Sequence, residues 1–122
     1  MAIVAACAHG DPARAAAERF LDRHYVEIDL PKARDETVGL ARAKIDEEMR
    51  LTDGQEAPEV ESKPSVHYRL IERQQNPGSD RNGYLYEATI SFDGGIQLKR
   101  RVFVTVRLED GAWHVANFQE TD

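Results

Sequence analysis

Six side chains in this chain of 122 residues have the types and settings to do chemistry: His24, Tyr25, Tyr68, Tyr86, Arg100 and Asn117. An imidazole next to a phenol can move a proton at a substrate carbon or carbonyl. Phenol hydroxyls on the rim of an apolar pocket can fix the polar end of a ligand. Arg100 and Asn117 interrupt otherwise apolar rows, and an arginine drawn into such a row needs an acidic partner or an anionic ligand. Each has a plainer reading. A lone histidine on an apolar helix face is most often a hydrogen-bonded core residue. The tyrosines can be core aromatics with the hydroxyl at the edge. The Arg100-Arg101 pair can mark a twist or bulge that turns Arg100 to solvent.

Other chemistries find no residues to carry them. His9, His24, His67 and His114 lack metal-ligand spacing and Cys7 stands alone, so no metal is expected. Asp93-Gly94-Gly95 is a turn with no helix after it, not a phosphate cradle. No serine or cysteine nucleophile sits in a recognisable setting, and no cofactor is expected. The formal charge of −6 is uneven, with 14 acidic against 8 basic residues through Glu61 and 8 of each from Ser62 onward. A phosphate-tracking surface needs the opposite sign, which argues against nucleic acid as a partner.

Residues 1–10 read as an apolar tail and residues 11–122 as one domain, the number expected for this length. No stretch reaches the ~20 apolar residues of a membrane span. Val4-Ala5-Ala6-Cys7 resembles the lipobox of bacterial lipoproteins: an aliphatic residue, two small ones, then the cysteine that receives lipid. It lacks the basic region of a working signal. Two expectations follow. If Cys7 is lipidated on a longer precursor, the domain is anchored at the cell envelope and meets the membrane only through that lipid. If the tail is accidental, the domain is cytoplasmic.

The elements that must position these residues fall into two halves. Asp11-Pro12 is a helix start, a capping side chain followed by proline in the first turn. Ala13, Ala16, Ala17, Phe20, Leu21, His24 and Ile28 then keep helical spacing, with Arg14, Glu18, Asp22 and Arg23 on the other face. That helix is expected to end near Glu27 or Ile28, before the Leu30-Pro31 break. A short second helix should run from Pro31 to Val38 with Gly39 behind it. A third, from Leu40 to Leu51, should bury Ala41, Ile45 and Met49 and leave Asp46-Glu47-Glu48 solvated. Residues 52–63 read as a polar linker. Four strands follow, at about Val66–Arg73, Tyr84–Phe92, Ile96–Leu108 and Trp113–Glu120, with hairpin turns at Asp93-Gly94-Gly95 and Asp110-Gly111. In the last strand Trp113, Val115 and Asn117 should share one face, and Glu72 should share the face of Tyr68.

In this order the chain resembles the NTF2-like superfamily, through Ala17-Glu-Arg-Phe-Leu-Asp-Arg-His-Tyr25, the Asp29-Leu-Pro31 break and Ala112-Trp-His-Val-Ala-Asn-Phe118. The resemblance implies an α+β cone, in which N-terminal helices pack in a curved four-stranded antiparallel sheet around a pocket. It speaks to fold more than to activity. The leading expectation is a non-catalytic binding or interaction module, with Tyr25, Tyr68, Tyr86, Arg100 and Asn117 lining a pocket for a small, partly apolar or anionic molecule. The alternative is an isomerase, dehydratase or cyclase type of enzyme using the same cavity, with His24, Tyr25 and Tyr86 to be tested. A homodimer through Phe103 and Thr105 on the outer sheet face is a third.

Overall fold

Asp11 opens the helical half as its residue type suggests. Its Oδ1 accepts from the Arg14 amide at 3.1 Å, and Pro12 takes the first helical position, a cap contributing about 1 kcal/mol. The computed structural model describes residues 11–53, 64–75 and 78–121. Helix α1 (Pro12–Leu21) continues as a π turn (Asp22–Val26), followed by α2 (Leu30–Asp35) and α3 (Gly39–Leu51). Strands β1 (Ser65–Gln75), β2 (Arg81–Ser91), β3 (Gln97–Glu109) and β4 (Ala112–Thr121) form one antiparallel sheet in that order. Asp110 (φ 53°) and Gly111 (φ 81°) make the two-residue turn between β3 and β4, the backbone hand that a tight hairpin needs. Together these elements form the expected α+β cone.

The core lies between α1 and the concave face of the sheet. Ala13, Ala16 and Ala17 let α1 lie close, and Phe20 and Leu21 fill the space above Val102, Val104, Val106, Val115 and Phe118. Val102, Val104 and Val106 alternate with half-buried or exposed neighbours, the period expected of a strand with one covered face.

Four local departures from the sequence reading have physical causes. The second helix stops at Asp35, and Gly39 (φ 56°) opens α3 instead of closing α2. The residues between them pair with β4: the Val38 amide donates to the Val115 carbonyl at 2.9 Å, and the Val115 amide donates to the Glu36 carbonyl at 2.8 Å. This covers an otherwise open sheet edge. In β4 the register shifts between Thr105↔Asn117 and Val106↔Val115, leaving Ala116 as a bulge. The bulge puts Val115 and Phe118 together on the core side and moves Asn117 off the Val115 face. A matching shift at Ile71 pairs Glu72 with Leu85, which takes Glu72 off the face of Tyr68. Arg100 keeps the phase of the apolar row, opposite Ala88, with no register shift in β2–β3. It is exposed beyond the last β3–β4 pair among the described residues, Arg101↔Thr121. Ile96 and Leu98, in the same overhang, are exposed too.

The linker 52–63 and the tail 1–10, with Cys7, fall outside the described residues, apart from Thr52 and Asp53. No helix among the described residues is long and apolar enough to cross a membrane.

Candidate functional site

Tyrosines meet carboxylates in two regions of the cone: one, termed the closed end, where the phenols are hydrogen-bonded to the helix, and the other, the mouth, where a cleft stands open. Towards the closed end three acidic residues of the first helix reach the sheet. Tyr84 donates to Asp11 Oδ2 at 2.9 Å, where the Gln75 amide also donates at 2.8 Å. Tyr86 donates to Glu18 Oε2 at 3.1 Å, and Tyr68 donates to Asp22 Oδ1 at 2.6 Å. Arg14 Nε holds the same Glu18 oxygen at 2.6 Å. Burial, and after it the facing carboxylate, pushes the Tyr86 and Tyr68 phenols well above their ordinary value. Burial also raises Tyr84. Glu18 and Asp22 therefore do not form a solvent face, because they accept the sheet's phenol hydroxyls.

At the mouth the helix widens into the π turn, where the Glu27 amide donates to the Asp22 carbonyl at 2.8 Å. Such turns recur at functional sites. Two residues on, Ile28 takes φ 55°, a left-handed conformation that is strained for a β-branched side chain. His24, Tyr25 and Ile28 line an open cleft of about 510 Å³. Its other walls are mostly apolar, with Leu30, Leu51, Val66, Ile90 and Phe92 joined by the carboxylates Glu48 and Glu120.

His24 is fixed on all sides. Its Nε2 lies 2.8 Å from Glu48 Oε2. Its ring stacks on Phe20 (centroids 5.3 Å apart, 12° between planes) and meets Tyr25 edge-on at 4.3 Å. The side chain is 7% exposed, and Nδ1 is buried with no hydrogen-bond partner among the described residues. The Tyr25 hydroxyl is likewise buried without a geometrically satisfied partner. Burial, then the neighbouring Glu120 carboxylate, raises its phenol far above the ordinary value, while Arg100 acts in the opposite sense.

Of the six sequence candidates, the structure brings His24 and Tyr25 together at this cleft. Tyr68 and Tyr86 belong to the closed end and are not among the lining residues, because their hydroxyls are taken by Asp22 and Glu18. Arg100 lies instead at a small surface depression with Glu87, Lys99 and Arg101. Asn117 Oδ1 accepts from Lys44 Nζ at 2.8 Å on the flank of β4. Sequence reasoning passed over Glu48 and Glu120, although a signal existed for both. Ala41, Ile45 and Glu48 follow i, i+4, i+7 spacing, and Glu120 is two residues beyond inward-facing Phe118. No three His, Cys, Asp or Glu side chains among the described residues gather to hold a metal ion.

No protein-family model matches the chain, and no curated protein sequence does. Solved structures do match. An NTF-2-like protein of unknown function from Shewanella oneidensis MR-1 superposes with a TM-score of 0.61 at 8% identity, over 88% of this chain and 94% of that one. The fold is NTF2-like. A protein from Thiobacillus denitrificans ATCC 25259, assigned to the calcium/calmodulin-dependent protein kinase type II association domains, aligns with a TM-score of 0.67. It shares 12% identity over 88% of this chain and 91% of its own. A Mycobacterium tuberculosis protein solved in complex with estradiol-17β-hemisuccinate aligns with a TM-score of 0.51 at 15% identity, over 92% and 94% of the two chains. At such identities the likeness is one of NTF2-like architecture.

Proposed function

We propose that this NTF2-like domain binds a small, largely apolar molecule in the cleft at the mouth of the cone. The observation that carries the reading is the cleft itself: about 510 Å³ with apolar walls, and His24 and Tyr25 at its side. That volume and lining match the usual make-up of a small-molecule site. The Mycobacterium tuberculosis structure supports the reading by analogy, since that protein of like fold holds estradiol-17β-hemisuccinate. An anionic ligand has less support, because the charged lining residues among those described are Glu48 and Glu120 and do not include Arg100.

A titration of 1-adamantylmethanol by calorimetry tests the reading. Saturable binding is expected, and it should be lost in Val66→Trp, which fills the cleft. Equal binding by that variant would reject this location.

An enzyme of isomerase, dehydratase or cyclase type is favoured by one observation, the His24–Glu48 contact beside Tyr25. Against it, the free ring nitrogen of His24 is buried, and Tyr86, the third residue to be tested, is bound to Glu18 in the core. Attachment to the cell envelope through lipid on Cys7 is a separate proposal resting on the sequence pattern. An intact-mass measurement on protein from native cells tests it: a lipid adduct at Cys7 supports anchoring, and an unmodified cysteine rejects it.

A further inference from the structure

We infer that the molecule taken by the cleft carries a protonated amine on an apolar body, with the ammonium held at Glu48 and Glu120. This rests on the cleft reading above and adds the chemical class of the ligand. Among the described residues, the charged side chains lining the cleft, Glu48 and Glu120, are both carboxylates. The same two also line an adjoining groove of about 610 Å³, together with Lys44 and Glu47, so they stand where the two spaces meet.

Each carboxylate is backed by a ring from the π turn. His24 Nε2 holds Glu48 at 2.8 Å, and Tyr25 and Glu120 line the same cleft. The His24 side chain is more than nine-tenths buried, with Nδ1 unpartnered. A buried ring nitrogen without a hydrogen-bond partner costs stability. Here the ring orients a carboxylate at the wall of an apolar space.

Among the described residues, neither neighbouring cation takes that place. Lys44 Nζ donates to Asn117 Oδ1 at 2.8 Å and to the Phe118 carbonyl at 2.6 Å. Arg100 acts on Tyr25 from β3 and is not a lining residue of the cleft. A ligand seated on the apolar walls therefore meets negative charge first. An ammonium is attracted there, and a carboxylate is repelled.

Three probes with one apolar body test the inference: 1-adamantylmethylamine, 1-adamantylmethanol and 1-adamantanecarboxylate, titrated calorimetrically at low salt. The amine is expected to bind about tenfold tighter than the alcohol, and the carboxylate more weakly than either. Glu48→Gln and Glu120→Gln should each lower the amine's affinity by more than they change the alcohol's, and urea denaturation midpoints near the wild-type value report that the variants are folded. Equal or tighter binding of the alcohol or carboxylate to the wild type would overturn the amine assignment and leave the cleft reading standing. An amine preference undiminished in both variants would overturn the role of the two carboxylates. If none of the three binds at millimolar concentration, both the cleft reading and this inference fall.

Discussion

The closed end and the open mouth of the cone are built from the same side chains and end in opposite conditions. At the closed end Tyr84, Tyr86 and Tyr68 each donate to a carboxylate of the first helix, so every phenol is matched. At the mouth the Tyr25 hydroxyl and His24 Nδ1 are buried without such a match, and the carboxylates Glu48 and Glu120 face an apolar cleft. Residue type therefore does not separate structural from functional positions here; what separates them is whether the hydrogen-bonding needs are met inside the fold. The closed end holds the sheet on the helix, and the mouth leaves polar capacity for something else to use.

The contrast can be broken most severely where the two regions join. Phe20 is fully buried between His24 and Phe118. Phe20→Ala should cost about 3–5 kcal/mol in urea denaturation, and a loss below 1 kcal/mol would mean that the junction does not hold both ends.

Alkaline pH probes the matched phenols next. Their folded-state values lie above the ordinary value of about 10. Above that pH the unfolded chain releases phenol protons that the folded chain retains, so stability should fall as pH rises through 10 and beyond. Urea midpoints at pH 9 and pH 11 measure this, and equal midpoints would contradict the burial of the phenols.

Hydroxyl removal gives a smaller and more pointed comparison. Tyr86→Phe removes a matched hydroxyl and should cost about 1–2 kcal/mol. Tyr25→Phe removes an unmatched one and should change stability by less than about 0.5 kcal/mol, or raise it. Equal losses in the two variants would erase the distinction between the ends. Smallest of all, Leu51→Ser at a position 62% exposed should alter stability by less than about 0.5 kcal/mol while weakening the binding of 1-adamantylmethanol.

The sequence shows the architecture more clearly than the site, for physical reasons. Period-two rows such as Tyr84, Tyr86 and Ala88, and helical rows such as Ala13, Ala17 and Phe20, reflect burial directly, so the strands and the long helix are legible. Single-residue insertions are not. The bulges at Ile71 and Ala116 reverse the inside–outside phase and displace Glu72 and Asn117 from their expected faces. Nor does charge reveal burial. Glu18 and Asp22 read as the polar face of the helix, and Asp11 as its cap alone, until the tyrosines that bind them are placed across from the helix. Glu48 follows the buried row of its own helix, yet it is hidden in an acidic run that reads as solvated. Only the fold, by bringing residues 24 and 48 within 2.8 Å, makes that glutamate part of a site.

The central claim is that the mouth, and not the matched end, receives a ligand. Amide chemical-shift mapping by ¹H–¹⁵N NMR during a titration with 1-adamantylmethanol tests it most directly. Saturable shifts gathered at Tyr25, Leu51, Val66, Ile90 and Glu120, with Tyr68, Tyr84 and Tyr86 unmoved, are the expected result. Shifts centred on the three matched tyrosines, or none at saturating probe, would contradict it.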